Sequence, residues 1–156
     1  MIHTRDTLFV NEKGHLTIGG ADCVDLAEQF GTPLYVFDER YIRRMMRIYQ
    51  DTINAEYDGH GLVLYASKAF SCEAIYAIAR QEGIGVDVVS GGELYTAKKA
   101  GFPAEKITMH GNNKLPHEIS EALSCGVGMI VVDAHSEADL IEAEAKKRGI
   151  IQDVMI

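Results

Sequence analysis

Four residues with charged or titratable side chains occupy comparable points of the chain, close to where predicted strands end: Lys68, Asp87, Glu93 and His110. A lysine amine can attack a carbonyl carbon and form a Schiff base. A carboxylate or an imidazole beside it can hold a charged group or move a proton. The combination therefore suggests covalent chemistry on a carbonyl compound, provided that the fold brings the four side chains together.

Lys68 follows the short apolar segment Leu62-Val-Leu-Tyr-Ala-Ser67. A continuous apolar run of this length is typical of a strand buried on both faces of a parallel sheet. In an α/β barrel, active sites are built at the rim where such strands end. An ordinary solvated lysine is the alternative interpretation, because most lysines are exposed.

Asp87 interrupts an otherwise apolar predicted strand, residues 84–89. A buried carboxylate is costly unless it is paired, and a lysine amine or a cofactor cation would be a suitable partner. A strand residue that faces solvent is the alternative. Glu93 lies three residues after Ser90, which is the spacing of a capping box at a helix N-terminus. His110 ends the next predicted strand, where a structural histidine is the alternative to a ligand contact.

A regular alternation of strands and helices positions these residues. Each predicted helix after residue 62 ends at or near a glycine, a common C-terminal signal. The predicted strands are 62–66, 84–89, 106–110, 128–132 and 151–156, and the predicted helices are 71–81, 92–100, 116–124 and 136–148. The alternation predicts a parallel sheet with right-handed crossovers. Four such units and a fifth strand make about half of an eightfold barrel, with an open doubly wound sheet as the alternative topology.

The chain before residue 62 has a different pattern. The elements predicted there are a β-hairpin over residues 7–18, a short helix over 25–30, a strand over 33–38 and a helix over 39–57. At the other end, residues 153–156 resemble a strand that stops early. We therefore expect the chain to be the N-terminal part of a longer protein.

Composition argues against several classes of function. The chain has 156 residues, a net charge of -8 and no basic run, so neither nucleic acid nor an anionic membrane is expected as a partner. The three cysteines are widely spaced and form neither a zinc pattern nor a disulfide framework, and no metal site is predicted. No segment is long enough to span a membrane and the N-terminus has no apolar signal segment, which predicts a cytoplasmic protein.

Three segments resemble one family of enzymes: Tyr65-Ala-Ser-Lys-Ala69, Val86-Asp-Val-Val-Ser-Gly-Gly-Glu-Leu94 and His110-Gly-Asn-Asn-Lys114. Together they resemble the diaminopimelate decarboxylases, which are pyridoxal-phosphate enzymes with an alanine-racemase-like barrel. The segments from Asn11 to Gly20 and from Gly31 to Asp38 fit the same family. The lysine motif is shared with ornithine and arginine decarboxylases of this fold, whereas His-Gly-Asn-Asn-Lys favours the diaminopimelate branch.

The resemblance implies an α/β fold and a cofactor. Residues 32–156 would form the first part of a TIM-like (β/α)8 barrel of the alanine racemase type that binds pyridoxal 5′-phosphate. Residues 1–31 would be a β segment that joins the C-terminal β domain of the full-length protein. Lys68 would carry the cofactor as a Schiff base. The other cofactor-binding residues implied by the resemblance are Asp87, Glu93 and His110.

The implied reaction is the decarboxylation of meso-diaminopimelate to L-lysine and carbon dioxide, a step of lysine biosynthesis. The family's active site forms between the two subunits of a homodimer. Its phosphate-binding glycines, the carboxylate that pairs with the pyridinium nitrogen and most of its substrate-binding groups lie beyond residue 156, so we expect residues 1–156 alone to be inactive. Two alternatives stay open: a decarboxylase of the same fold acting on ornithine or arginine, and a non-catalytic barrel that binds pyridoxal phosphate.

Overall fold

A computed structural model describes residues 3–5 and 7–156 of the chain, with side chains from Thr7 onward. The chain divides into two compact units, residues 1–48 and 49–156. The first is built around an antiparallel sheet and the second around a parallel sheet. No helix in the described part of the chain is both long and apolar enough to cross a membrane.

The first unit contains a four-stranded sheet in the order β1-β2-β3-β4, in which each strand is antiparallel to the next. The strands are β1 (His3–Arg5), β2 (Leu8–Val10), β3 (Leu16–Ile18) and β4 (Ala21–Asp22). The predicted hairpin is confirmed, with β2 and β3 joined by a turn at residues 11–14. Asn11 shapes this turn, because its Oδ1 accepts from the backbone N–H groups of Lys13 and His15 at 3.0 Å each.

Asp22 joins the hairpin turn to helix α1 (Cys23–Phe30). Its carboxylate caps the helix by accepting from Val24 N–H at 2.9 Å, and it also accepts from Asn11 Nδ2 at 2.8 Å. Burial acts to raise the pKa of Asp22, but hydrogen bonds from Asn11, Val24, His15 and Asp25 outweigh it and lower the pKa to about 2. The predicted helix over residues 25–30 is confirmed and begins two residues earlier.

The strand predicted over residues 33–38 is wrong. Residues 34–38 have no regular secondary structure, although Leu34, Tyr35 and Phe37 are apolar and exposed. Apolar content alone does not make a strand, because a ladder also needs a neighbouring backbone with free donors and acceptors. Helix α2 (Glu39–Glu56) follows, as predicted, and Asp38 caps it by accepting from Tyr41 N–H at 3.1 Å.

The second unit contains a five-stranded parallel sheet whose strands are neighbours in chain order. The strands are β5 (Leu64–Ala66), β6 (Gly85–Val88), β7 (Ile107–Met109), β8 (Met129–Val131) and β9 (Val154–Met155). The helices are α3 (Glu73–Gln81), α4 (Gly91–Lys99), α5 (Pro116–Cys125) and α6 (His135–Arg148), with short 3-10 helices at Ser67–Ala69 and Ala104–Lys106. The predicted alternation and strand order are confirmed.

The middle of this sheet is buried on both faces. All three residues of β7 are buried, as are Val86 and Val88 of β6 and Ile130 of β8. The helices contribute the apolar side chains that cover the sheet, which include Ile75, Tyr76, Leu94, Ala97, Ile119, Ala122 and Ile141. Burial of strands on both faces is the pattern of parallel α/β sheets. The hydrophobic core therefore lies around β6, which contains Asp87, and β7, which leads to His110.

Candidate active site

The register of the parallel strands places the predicted site residues at one edge of the sheet. Ala66 of β5 pairs with Asp87 of β6, and Asp87 pairs with Thr108 of β7. Lys68 lies two residues beyond Ala66, and His110 lies two residues beyond Thr108. Because carboxyl ends of parallel strands share one rim, Lys68, Asp87 and His110 belong to a single neighbourhood. The electrostatic influence of Lys68, His110 and Glu93 on Asp87 agrees with this placement.

Lys68 lies in the 3-10 helix Ser67–Ala69, directly after β5, and its side chain is exposed. Ser67 beside it is fully buried. The hydroxyl of Ser67 lies 2.7 Å from the backbone oxygen of Asp87 and 2.5 Å from Oε2 of Glu93, so it shares its proton between two acceptors. This contact fixes the turn that presents Lys68 against β6 and α4 and leaves the lysine amine accessible.

Asp87 has an unusual environment for a carboxylate. The residue is half-buried, and its Oδ1 is a buried atom with no hydrogen-bond partner among the residues that the structure describes. Burial raises the pKa of the Asp87 carboxyl, and this effect outweighs the lowering by His110 and Lys68. A buried acceptor without a donor is uncommon in proteins and calls for an explanation. Oδ1 is therefore suited to accept a hydrogen bond from a ligand or from a side chain that moves on ligand binding.

Glu93 is held in place by three contacts near the N-terminus of α4. Its Oε2 accepts from Val89 N–H at 2.8 Å and contacts Ser67, while its own N–H donates to Ser90 Oγ at 3.2 Å. The predicted N-cap at Ser90 is confirmed. The carboxylate bonds Val89 N–H, one residue before the N-cap, instead of closing a capping box on Ser90 itself. Glu93 therefore ties the end of β6 to β5, in addition to the cofactor role predicted for it.

His110 is exposed and follows β7, and its backbone is held tightly. Its N–H donates to Val88 O at 2.8 Å, which extends the β6–β7 ladder by one residue. The next residue, Gly111, has φ of +87°, and a Cβ there would lie 2.8 Å from Val89 O. Only glycine fits such a conformation and such a close approach without a shift of the backbone. The chain beyond His110 is thus pressed against the end of β6, close to Asp87.

Sequence reasoning missed three further residues at this rim, Lys114, Glu118 and Glu137. Lys114 ends the His-Gly-Asn-Asn-Lys segment but was not among the predicted site residues, and the structure buries it. Glu118 Oε2 accepts from Leu115 N–H at 2.9 Å and its Oε1 from Gly91 N–H at 2.7 Å. The signal available in the sequence was a glutamate at the third position of α4, α5 and α6, the position from which an acid closes a helix N-terminus.

Comparison with known proteins identifies the family to which this geometry belongs. Residues 39–156 match the family model described as pyridoxal-dependent decarboxylase, pyridoxal binding domain. The chain belongs to this family. The fold class predicted from the sequence, the first part of an alanine-racemase-type barrel, and the predicted pyridoxal-phosphate cofactor of the family are both confirmed.

Similar full-length proteins are diaminopimelate decarboxylases. The chain is 48% identical to that of Bacillus methanolicus over 96% of this chain and 34% of the relative, and 49% identical to that of Bacillus subtilis over 94% and 33%. The crystal structure of diaminopimelate decarboxylase from M. jannaschii in complex with L-lysine is 38% identical, with a TM-score of 0.85 over 96% of this chain and 35% of that chain. The chain thus spans about a third of the length of the relatives it matches.

Proposed function

We propose that this chain is the cofactor-binding portion of a pyridoxal-phosphate-dependent decarboxylase that converts meso-diaminopimelate to L-lysine and carbon dioxide. In this reaction the bond between an α-carbon and its carboxylate breaks, carbon dioxide leaves, and a proton takes its place. The observation that carries the proposal is the row Lys68, Asp87 and His110 at one rim, within a chain 48% identical to a diaminopimelate decarboxylase. Reaction with ornithine or arginine instead would favour the alternative, a decarboxylase of the same fold with another substrate.

The residues at the rim fit pyridoxal phosphate. The cofactor has an aldehyde, which an accessible lysine amine can bind covalently, and beside it a ring hydroxyl that can donate to a buried carboxylate. Lys68 offers the amine, and Asp87 Oδ1 offers an acceptor that has no partner within residues 7–156. When bound, the cofactor supplies an electron sink for the charge left by the departing carboxylate. Lys68 holds the cofactor, Asp87 orients it, and Glu93 and His110 fix the geometry around it.

The phosphate group of the cofactor is expected to bind elsewhere than at the N-termini of α4, α5 and α6. Helix N-termini normally attract phosphate, but a glutamate closes each of α4, α5 and α6 at this rim. The glutamates are Glu93, Glu118 and Glu137, and each accepts a backbone N–H one or two residues before the first residue of its own helix. A carboxylate already in that position repels a phosphate group. This supports the prediction that the phosphate cradle comes from residues beyond 156 and that residues 1–156 alone are inactive.

The remaining parts of the proposal concern assembly. We infer that residues 1–31, whose described part forms an antiparallel β unit and helix α1, join a C-terminal β domain, and that residues 32–156 are the first part of the barrel. The proposed working form is a homodimer whose active site is shared between the subunits, located in the cytoplasm. The negative net charge of -8 supports a small-molecule amino-acid substrate over nucleic acid as the partner.

The cofactor assignment is tested by chemical labelling. Borohydride treatment of the complete protein with pyridoxal phosphate should attach the pyridoxyl group irreversibly to the peptide that contains Lys68. Lys68→Ala should remove this label and the release of carbon dioxide from meso-diaminopimelate. Lys98→Ala is the matched control and should retain both, since Lys98 pairs with Glu121 toward the other end of α4. Labelling found only at Lys98 or Lys114 would overturn the assignment.

Substrate choice is tested with the same preparation. The complete protein should release carbon dioxide from meso-diaminopimelate far faster than from L-ornithine or L-arginine. Preference for ornithine or arginine would show a decarboxylase of the same fold with another substrate. Labelling of Lys68 without turnover of any of the three amino acids would show a non-catalytic cofactor-binding protein.

A further inference from the structure

Lys114 and Glu137 form a buried ion pair at the rim. The lysine Nζ lies 2.9 Å from Glu137 Oε2, and only 1% and 6% of the two side chains are exposed. Nζ also donates to Gly111 O at 2.6 Å and to Val131 O at 2.7 Å. An ammonium group has three N–H donors, and here each donor has an acceptor. Lys114 therefore has no donor left for a ligand, which excludes it as a phosphate-binding or carboxylate-binding group.

The three acceptors belong to separate parts of the fold. Gly111 lies in the loop after β7, Val131 is the last residue of β8, and Glu137 lies in the first turn of α6. Glu137 Oε2 also accepts from Asp133 N–H at 2.9 Å, so the pair closes the β8–α6 loop as well. A buried ion pair contributes little net stability, because desolvation offsets the attraction. What this pair provides is a fixed distance between the loop after β7 and the end of β8.

That loop begins with His110, which is fixed from two sides. On one side, its N–H donates to Val88 O at 2.8 Å at the end of β6. On the other side, the carbonyl of Gly111, the next residue, accepts from Lys114. Loss of Lys114 removes the hydrogen bond to Gly111 O and leaves the hydrogen bond from His110 N–H to Val88 O. The backbone that carries the imidazole is then held only at the end of β6, so the position of the ring relative to Asp87 is less defined.

We propose that Lys114, held by Glu137, is a positioning residue that sets the location of His110 relative to Lys68 and Asp87 through the carbonyl of Gly111. The proposal rests on the proposed function, since it assigns His110 a place beside the cofactor. Lys114 acts on the cofactor only through His110. Removal of the pair and removal of the imidazole should therefore affect cofactor binding through the same step, and their effects should not add.

The test uses a double substitution that removes both charges together, Lys114→Met with Glu137→Gln, so that no unpaired charge stays buried. We expect this variant of the complete protein to bind pyridoxal phosphate about tenfold more weakly in an absorbance titration. A loss of this size is within the range found when neighbouring residues are coupled. In a His110→Ala background, the same double substitution should cause no further loss. The matched control, Lys98→Met with Glu121→Gln, removes an exposed lysine–glutamate pair between α4 and α5 and should leave the affinity unchanged.

Two further measurements separate positioning from a general loss of structure. Chemical shifts of the His110 ring protons in the cofactor-free protein should change in the Lys114→Met, Glu137→Gln variant and stay unchanged in the control. If that variant does not fold, Lys114→Arg keeps the charge but misplaces its donors, and it should produce the same ring-proton shifts with a smaller loss of affinity. Equal losses of affinity with and without the His110 ring would show a merely structural pair and overturn the inference. An unaltered protein that binds no pyridoxal phosphate would overturn the proposed function itself.

Discussion

Replacing Asp87 with asparagine is expected to stabilise the cofactor-free protein at neutral pH and to weaken cofactor binding. Asp87 Oδ1 is buried and meets no donor in the described part of the chain, and burial raises the pKa of the carboxyl in spite of Lys68 and His110 nearby. The loss of solvation is therefore larger than the attraction of the two basic groups. An asparagine has nearly the same shape but carries no charge, so it removes most of this cost.

The size of the gain follows from the partial burial of the residue. A buried acceptor without a donor costs about 1–3 kcal/mol, and more when it is charged; asparagine keeps the acceptor and removes only the extra cost of the charge. Because Asp87 is only half-buried, water screens part of this cost, and we expect the gain in unfolding free energy to be about 1 kcal/mol. The control is Asp133→Asn, the same chemical change on an exposed side chain after β8, which should change stability by less than about 0.5 kcal/mol.

The pH dependence gives this prediction a definite sign. The folded-state pKa of Asp87 is raised above the unfolded value of 3.8, so between the two values the folded chain binds the proton more tightly. Stability contributed by this group therefore falls as the pH rises from 3.8 through the folded-state pKa. The advantage of Asp87→Asn should be largest above the folded-state pKa and should shrink as the pH is lowered toward 3.8.

The assay is urea unfolding of the cofactor-free protein at several pH values, repeated with a saturating amount of pyridoxal phosphate. Ligand that binds the folded state raises its stability according to its affinity. With cofactor present, the order should reverse, because the unaltered protein gains more from binding than Asp87→Asn does. A cofactor-free Asp87→Asn protein that is less stable than the unaltered one at neutral pH would refute the reasoning, since the basic groups would then outweigh burial.

Two further predictions concern the backbone of the rim. Gly111→Ala should destabilise the protein by more than about 2 kcal/mol, because its φ is +87° and the new Cβ would meet Val89 O at 2.8 Å. The control is Gly126→Ala, which has φ of +72° but open space around it and should cost only about 1 kcal/mol in the same urea assay. Backbone hydrogen bonds, first that from Leu115, lower the pKa of Glu118 below 4.5, so its stabilisation is present above 4.5 and is lost as the pH falls through the lowered pKa. Glu118→Gln should reduce stability at pH 7 by about 1 kcal/mol and flatten the acid limb of the stability curve; an unchanged acid limb would contradict this.

The parallel sheet was predictable because its signals are local. Apolar segments alternating with helical ones, and glycines such as Gly126 and Gly149 directly after helices, depend only on near neighbours in sequence. These signals gave the five strands in order, and predicted bounds differ from the observed ones by at most a few residues. The prediction of a strand over residues 33–38 failed because a strand is defined by the strand it pairs with, and apolar content does not specify that partner.

The site was predictable only in part for the same reason. Placement of Lys68, Asp87 and His110 at one edge follows from strand order and is observed, whereas their roles toward the cofactor stay predictions. Lys114 is different, because its acceptors Val131 and Glu137 lie 17 and more residues away in the chain. No local pattern distinguishes a lysine whose three N–H donors all meet protein acceptors from one that meets water.

Contacts at the rim explain how a short turn and a loop can hold Lys68 and His110 at defined positions beside Asp87. Ser67 fixes the turn of Lys68 through Asp87 O and Glu93, and Lys114 fixes the loop of His110 through Gly111 O. These anchors are buried and have their hydrogen bonds satisfied, whereas the Lys68 and His110 side chains are exposed. Asp87 differs from both groups, since it is half-buried and its Oδ1 has no donor among the described residues. The rim thus combines a rigid, satisfied support with one unsatisfied acceptor, which is the arrangement expected where a ligand completes the hydrogen bonding.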